Sequence, residues 1–370
     1  MNHASVTTSA SRKDDHVRLA TEQADARQQP GDFDDVTFMH HALAAADFDS
    51  VTTETQIFDN SWASPIYINA MTGGSASTGR INESLARVVA ETGTAIASGS
   101  MSHLLKDETS ASTFTSLRKL NPNGFVFANL SANATVADAR RVVDAVEANA
   151  LQIHVNSAQE IVMPEGDRCF GHWTDNIAAI VTAVGVPVVV KEVGFGLSAE
   201  TVAQLAALGV RYVDVSGRGG TNFAAIENSR RDQNDYSALL SWGQSTANCL
   251  VDVAETAERE SVTVLASGGV RGPLDVAKAL SLGSVAVGVA GGFLHVLQRE
   301  GEAALIAEIH RWNAQLRAIQ ALTGAARPSD LLRSDLLITG GVAEFARLRG
   351  IDITHYAQRG AHKRRSLHDG

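Results

Sequence analysis

Apolar positions in this chain come in short runs, each closed by small or hydroxylated residues and glycine, and each followed by a stretch of helical period. SPIYINAMTGG (64–74), TAIASGS (94–100), YVDVSGRGG (212–220) and TVLASGG (263–269) show the pattern. Unbroken Val, Ile and Ala segments read as strands buried on both faces, as a parallel sheet requires. Strands are predicted at 66–71, 94–98, 125–130, 150–155, 187–193, 212–216, 263–267 and 284–289, with helices between them over spans such as 139–150, 198–209 and 272–283. Ser198 and Pro273 mark helix starts, and Gly209 and Gly283 mark stops. Eight strand–helix units predict an α/β fold, a closed (β/α)8 TIM barrel. An open doubly wound sheet is the competitor.

The alternation divides the chain into a polar N-terminal extension (1–60), a barrel (61–325) and a C-terminal helical tail (326–370). The connection 218–245 is longer than an ordinary strand-to-helix loop and carries Asn222, Glu227, Asn228, Arg230, Arg231 and Asp232. Its length suggests a functional lid or a disordered segment. The basic tail HKRRSLHDG (362–370) reads as a solvated terminus.

Composition narrows the classes. With 370 residues, 44% of them hydrophobic and only 5% aromatic, one large aliphatic core is expected. A net charge of −10 argues against a nucleic-acid surface, yet leaves a phosphorylated small molecule open. Cys169 and Cys249 are too few for a disulfide framework or a zinc knuckle, which suits a reducing cytoplasm. The first thirty residues lack the apolar segment of a secretion signal, and no run approaches the roughly 20 residues of a membrane span.

Candidate chemistry gathers at the strand ends, which form the active face of a barrel. SGGVRG (267–272) and GVAGGF (288–293) place paired glycine tips after the seventh and eighth strands, the usual phosphate cradle of this architecture, with Arg271 as an added cation. Lys191 ends a buried strand and is expected to reach into a polar site, over an electron-rich ring or as a Schiff base. GFGLSA (194–199) matches a dinucleotide fingerprint, but it sits in the fifth repeat, where no half of the chain begins. In LQIHVNSAQE (151–160), His154, Asn156, Gln159 and Glu160 can bind a polar headgroup and a hard cation such as Mg2+. RKDDH (12–16) could fold over an anion, Arg12 offering a two-pronged donor.

Taken together, RKDDH, NAMTGGS (69–75), SGSMS (98–102), ANLSA (128–132), LQIHVNSAQEIVMPEGDR (151–168), VVVKEVGFGLS (189–198), VDVSGRGGTNFAAIEN (213–228) and SGGVRGPLDVAKALSLGS (267–284) resemble the type 2, FMN-dependent isopentenyl-diphosphate isomerases. The resemblance implies that Ala70, Met71 and Thr72 line the flavin, with Ser100 and Asn129 adding polar contacts and Lys191 by its pyrimidine side. Ser216, Thr221, Gly269, Val270, Arg271, Ala290 and Gly291 would hold the ribityl chain and phosphate. Arg12, Lys13, His16, His154 and Asn156 would bind the diphosphate, Gln159 would face the reacting end, and Glu160 would take Mg2+. The groups nearest the chemistry would be Gln159, His154 and Lys191. NADPH would reduce the flavin, and the chains would associate as tetramers or octamers.

The alternatives are an FMN oxidoreductase of the 2-hydroxy-acid oxidase type and a non-catalytic flavin- or phosphosugar-binding barrel. Hydroxy-acid oxidases carry a histidine base in an HGG loop after the sixth strand. Here the same place reads SGRGG, with Arg218 where that base would stand.

Overall fold

The computed structural model describes residues 9–25, 31–71, 73–233 and 235–360. Thr72 and the basic tail 362–370 lie outside them. Eight parallel strands close on themselves: β1 (Ile66–Ile68), β2 (Ala95–Ala97), β3 (Val126–Ser131), β4 (Ala150–His154), β5 (Val188–Lys191), β6 (Tyr212–Asp214), β7 (Thr263–Ser267) and β8 (Ala286–Val289). Each lies within a run predicted from the sequence or overlaps it by all but its last residue. Closure, which strand count could not prove, comes from β8 pairing with β1 through Val287 opposite Ile66.

Local signals place the helices. Ser198 caps Ala199–Ala207 by accepting the Thr201 N–H, and Gly209 follows at φ +90°. The helix predicted over 139–150 begins earlier and ends earlier, at Val136–Ala145. Thr135 and Asp138 form a reciprocal cap that fixes its start, and Glu147, at φ +44°, turns the chain into β4.

Between strands and helices lies the expected aliphatic core, including Val88, Val126, Val142, Ile153, Val190, Val213 and Leu280. The amino end of the barrel is sealed differently. A hairpin of Thr55–Ile57 and Asn60–Trp62 turns at Phe58 and Asp59, both at positive φ, as a two-residue hairpin demands. It carries Phe58 and Trp62 under the strands, where they pack on Tyr67, Phe125 and Phe127; Phe58 stacks on Phe125 at 5.5 Å between ring centroids.

Two segments far apart in sequence meet. Val36–Phe38 pairs antiparallel with Leu336–Ile338, and the tail continues through the helix Gly340–Arg349. The long 218–245 connection folds into a short helix, Phe223–Ser229, and a turn at Ser237–Leu239. Among the described residues no helix is long and apolar enough to cross a membrane.

Candidate active site

Parallel register sets the floor of the site. Ser131 lies opposite His154, His154 opposite Lys191, and Lys191 opposite Asp214, so four polar residues form a band where β3 to β6 end. Asp214 is fully buried and collects donors: the Tyr67 hydroxyl at 2.8 Å, Asn69 Nδ2 at 3.2 Å, Ser267 Oγ at 2.9 Å and the Ser216 N–H at 3.0 Å. Lys191 donates to the Glu192 carbonyl at 2.6 Å. Burial lowers its pKa against the pull of Asp214 and Glu192. Glu192, just past the strand, stays out of the cavity; burial raises its carboxyl to about 7 despite N–H donors from Val193 and Phe195.

From Asp214 a line of amides crosses the barrel. Asn69 Oδ1 accepts from Gln152 Nε2 at 3.4 Å, Gln152 Oε1 accepts from Asn129 Nδ2 at 3.0 Å, and Asn129 Oδ1 lies 2.8 Å from His154 Nδ1. Burial, with the Lys191 and Lys13 cations nearby, pushes the His154 imidazole down to about 3. It is neutral at ordinary pH.

One wall is the helix Ser157–Val162, which starts directly after β4. Asn156 Nδ2 donates to Gln159 Oε1 at 3.1 Å and to Glu160 Oε1 at 2.9 Å, while the Asp167 N–H donates to Glu160 Oε2 at 2.8 Å. Asn156 Oδ1 is buried with no hydrogen-bond partner. A buried acceptor left open in this way is costly unless a ligand completes it.

The roof comes from the N-terminal extension. Helix Ser9–Asp25 brings Arg12, Lys13 and His16 to the same cavity of about 570 Å3 that Asn129, His154, Asn156, Gln159, Glu160 and Lys191 line. His16 Nε2 lies 2.8 Å from Glu227 Oε1, which also accepts from Gln159 Nε2 at 3.0 Å. Arg230 pairs with the other oxygen of Glu227. Burial alone would raise the Glu227 carboxyl, but the donors His16 and Gln159 and the Arg230 cation hold it at about 2. Burial keeps His16 below its usual value. Lys13 is lowered to about 8, by burial and then by Arg12.

The opposite wall is glycine. Gly268, at φ +91°, packs so closely on the β6 loop that a Cβ there would stand 2.0 Å from the Gly217 carbonyl oxygen. Ser216 holds a left-handed φ of 37° at the tip of β6. Ala290 precedes the helix Gly291–Glu300, whose first N–H groups have no partner within the helix. Ala70, Met71, Ser100, Ser216, Thr221, Gly269, Val270, Ala290 and Gly291 all line the cavity. Arg271 does not. Its guanidinium is held by Asp34 and Asp275 and lines a neighbouring cleft, so the expectation of a cation free for phosphate meets a side chain already neutralised. Arg218 lines that cleft too and donates to the Ser241 carbonyl at 2.6 Å.

Glu227 and Asp214 went unassigned in the sequence. Asp214 had a signal, a lone acid inside the apolar strand YVDVS. Glu227 had a weaker one, an acid beside Ile226 on a helix capped by Asn222.

Residues 123–338 match the FMN-dependent dehydrogenase family. The chain is 55% identical over 352 residues to an isopentenyl-diphosphate delta-isomerase of Streptomyces sp. (strain CL190), covering 95% of this chain and 96% of that protein. The chain belongs to the FMN-dependent isopentenyl-diphosphate delta-isomerases. A more distant isopentenyl-diphosphate delta-isomerase, from Latilactobacillus sakei subsp. sakei (strain 23K), is 44% identical over 343 residues, 92% of this chain and 97% of that one. Membership of the isomerase family thus extends over nearly the whole molecule, extension and tail included. Among solved structures, a lactate oxidase of Pediococcus acidilactici aligns with a TM-score of 0.64 at 16% identity, covering 88% of this chain and 87% of that one. A mandelate oxidase bound to (S)-2-phenylpropionate gives 0.61 at 16%, covering 88% and 90%. At such identity these two share the barrel fold with the isomerase-family chain and nothing finer.

Proposed function

We propose that the protein interconverts isopentenyl diphosphate and dimethylallyl diphosphate by proton transfer, with reduced FMN and Mg2+, in isoprenoid biosynthesis. The observation that carries this reading is the meeting, in one cavity, of a glycine wall suited to a flavin phosphate and a roof of basic residues suited to a diphosphate.

The residues fit both groups. Gly268 and Gly269 leave the close backbone approach that an FMN phosphate needs, and the Gly291–Glu300 helix turns its positive end the same way. Ala70, Met71, Thr72, Ser100 and Asn129 would border the ring, and Lys191 would offset negative charge on it. Arg271 would serve through the loop it occupies, its side chain being engaged. Among the described residues no cluster of three or more His, Cys, Asp or Glu could cage a metal. Glu160 suits Mg2+, which characteristically takes one or two carboxylates and completes its shell with phosphate oxygens and water.

When bound, reduced FMN would supply a proton and an electron-rich face that favours positive charge developing on the substrate alkene. The protein's own groups bind and orient. Arg12, Lys13 and the free edge of His16 hold the diphosphate from above, and His154 and Asn156 hold it from the barrel. Gln159, steadied between Asn156 and Glu227, positions the five-carbon end and does not transfer a proton, since an amide has no useful acidity near neutral pH. Helix Ser9–Asp25 keeps bulk water from the developing charge. NADPH is the proposed reductant, the cytoplasm the proposed location, and a tetramer or octamer the proposed assembly. An oxidase reading lacks its base: Arg218 faces the other cleft.

The test is turnover of isopentenyl diphosphate by purified, FMN-loaded protein with Mg2+. Dimethylallyl diphosphate should form after reduction by dithionite or NADPH. Equal turnover by fully oxidised enzyme would rule the reading out.

A further inference from the structure

His154 is reached from deep inside the barrel by hydrogen bonds that all run one way, and the direction is fixed at the far end. Asp214 is buried at the middle of the strand ends, where its two oxygens accept from Tyr67, Ser267, the Ser216 N–H and Asn69. A carboxylate has no proton to give back. Asn69 is held in the same sense by a second contact, because the Ala70 N–H donates to Asn69 Oδ1 at 2.8 Å. Its amide nitrogen therefore faces Asp214, and its oxygen is left to accept from Gln152.

The rest follows by the donor and acceptor inventory. Gln152, wholly buried, presents Nε2 to Asn69 and so must present Oε1 to Asn129. Asn129 gives Nδ2 to Gln152, and its Oδ1 is left for His154. An amide oxygen only accepts, so His154 Nδ1 must carry the hydrogen.

We infer that Asp214 is a positioning residue for substrate binding: through Asn69, Gln152 and Asn129 it fixes His154 as the Nδ1–H tautomer. Nε2 then faces the cavity with its lone pair. This consequence rests on the reading of His154 as a diphosphate ligand. With Nδ1–H committed inwards, the ring can donate to a phosphate oxygen only by acquiring a second proton at Nε2. The Lys13 and Lys191 cations near it oppose that in the free enzyme, and a bound diphosphate would offset them.

The experiment is 15N NMR of histidine-labelled, FMN-loaded protein without substrate, with His154 assigned from the spectrum of His154→Gln. The native protein should show a protonated Nδ1 and an unprotonated Nε2. Gln152→Met cuts the line while leaving Asp214 beside Lys191, and should give a mixture of tautomers. Asp214→Asn, close in shape but able to donate, should do the same. Gln152→Glu, which when protonated donates to Asn69 and accepts from Asn129 as glutamine does, should restore the single tautomer. In Gln152→Met a ring that already carries Nε2–H can donate to a phosphate oxygen without a second proton, so the rise of KM for isopentenyl diphosphate with increasing pH should flatten, with kcat changed less than about twofold. Protonated Nε2 in the native protein, or a single Nδ1–H tautomer in Gln152→Met, overturns the inference. So does a tautomer mixture with an unchanged pH profile of KM. The nitrogen shifts do not depend on turnover, so a failed isomerase assay in the native protein counts against the proposed function and leaves the tautomer result standing.

Discussion

His16, from the N-terminal helix, and Glu227, from the helix in the long loop after β6, meet at 2.8 Å across the mouth of the barrel. Both are buried, and Glu227 carries Gln159 and Arg230 on its remaining positions. One carboxylate thus joins the roof, the loop and the substrate-positioning amide. Glu227→Gln should leave Arg230 with Glu165 as its sole acidic partner and cost about 1–3 kcal/mol, the range for a buried donor that loses its acceptor. Urea unfolding measures the loss. Limited proteolysis should cut within 9–25 faster in the variant, and unchanged protection would show that the helix does not depend on this contact.

Lys13, as a proposed diphosphate ligand, should set an alkaline limit to the reaction. Its free-enzyme pKa is lowered to about 8, by burial and then by Arg12, so its charge fades as pH rises through that value. The profile of kcat/KM, which reports free-enzyme groups, should fall above about pH 8. Lys13→Arg keeps its charge and should extend the plateau to higher pH. A limb in the same place in both proteins would assign it elsewhere.

Glu192 makes stability depend on pH in the opposite sense to most carboxylates. Its pKa is about 7 in the folded protein against an ordinary 4.5, so between these values the unfolded chain ionises first. The protein loses stability from this group as pH rises from about 4.5 to about 7, and the loss levels off above. Glu192→Gln should remove that slope. Denaturation curves at pH 5, 6 and 7 should show the variant gaining steadily on the native protein, and parallel curves would refute the shift.

Gly268→Ala asks for a methyl where the Gly217 carbonyl oxygen stands 2.0 Å away, in a backbone conformation that side chains resist. The loops after β6 and β7 must part. FMN content of the purified variant should fall by at least about tenfold, the equivalent of 1.4 kcal/mol, near the lower bound for such strain. Full flavin retention would remove these loops from the cradle.

Glu160→Gln should raise the Mg2+ concentration needed for half-maximal turnover by about tenfold or more while the protein keeps its flavin, because a neutral amide is a poor ligand for a hard dication. Titration of activity against Mg2+, with the absorbance of bound flavin read in parallel, separates the two. Equal loss of both would contradict the assignment.

The barrel was legible because its signals are local. Every strand lies in one apolar run, and Ser198, Pro273, Gly209 and Gly283 mark helix ends within the helices' own sequence. The glycine tips and the HVNSAQE segment were legible for the same reason. What escaped was made by distance. His16 and Glu227 are 211 positions apart, and nothing near either residue announces the other. The sheet of Val36–Phe38 and Leu336–Ile338 has strands of three residues drawn from opposite ends of the chain, too short to show a period. The hairpin at Phe58 and Asp59 lacks the Asn-Gly turn that usually betrays one. Arg271 looked available because its partner Asp34 lies in the extension, outside the repeat that holds it.

The stacked rings beneath the strands have a bearing on traffic. With Phe58, Trp62, Phe125 and Phe127 packed beneath the strands, the amino end of the barrel is closed, and the cavity opens on the face where the strands end. A five-carbon guest bound in that cavity would stand in the way of the nicotinamide proposed as reductant. Recharging the cofactor by NADPH and turning over substrate would then take turns, and high concentrations of isopentenyl diphosphate should slow activation by NADPH.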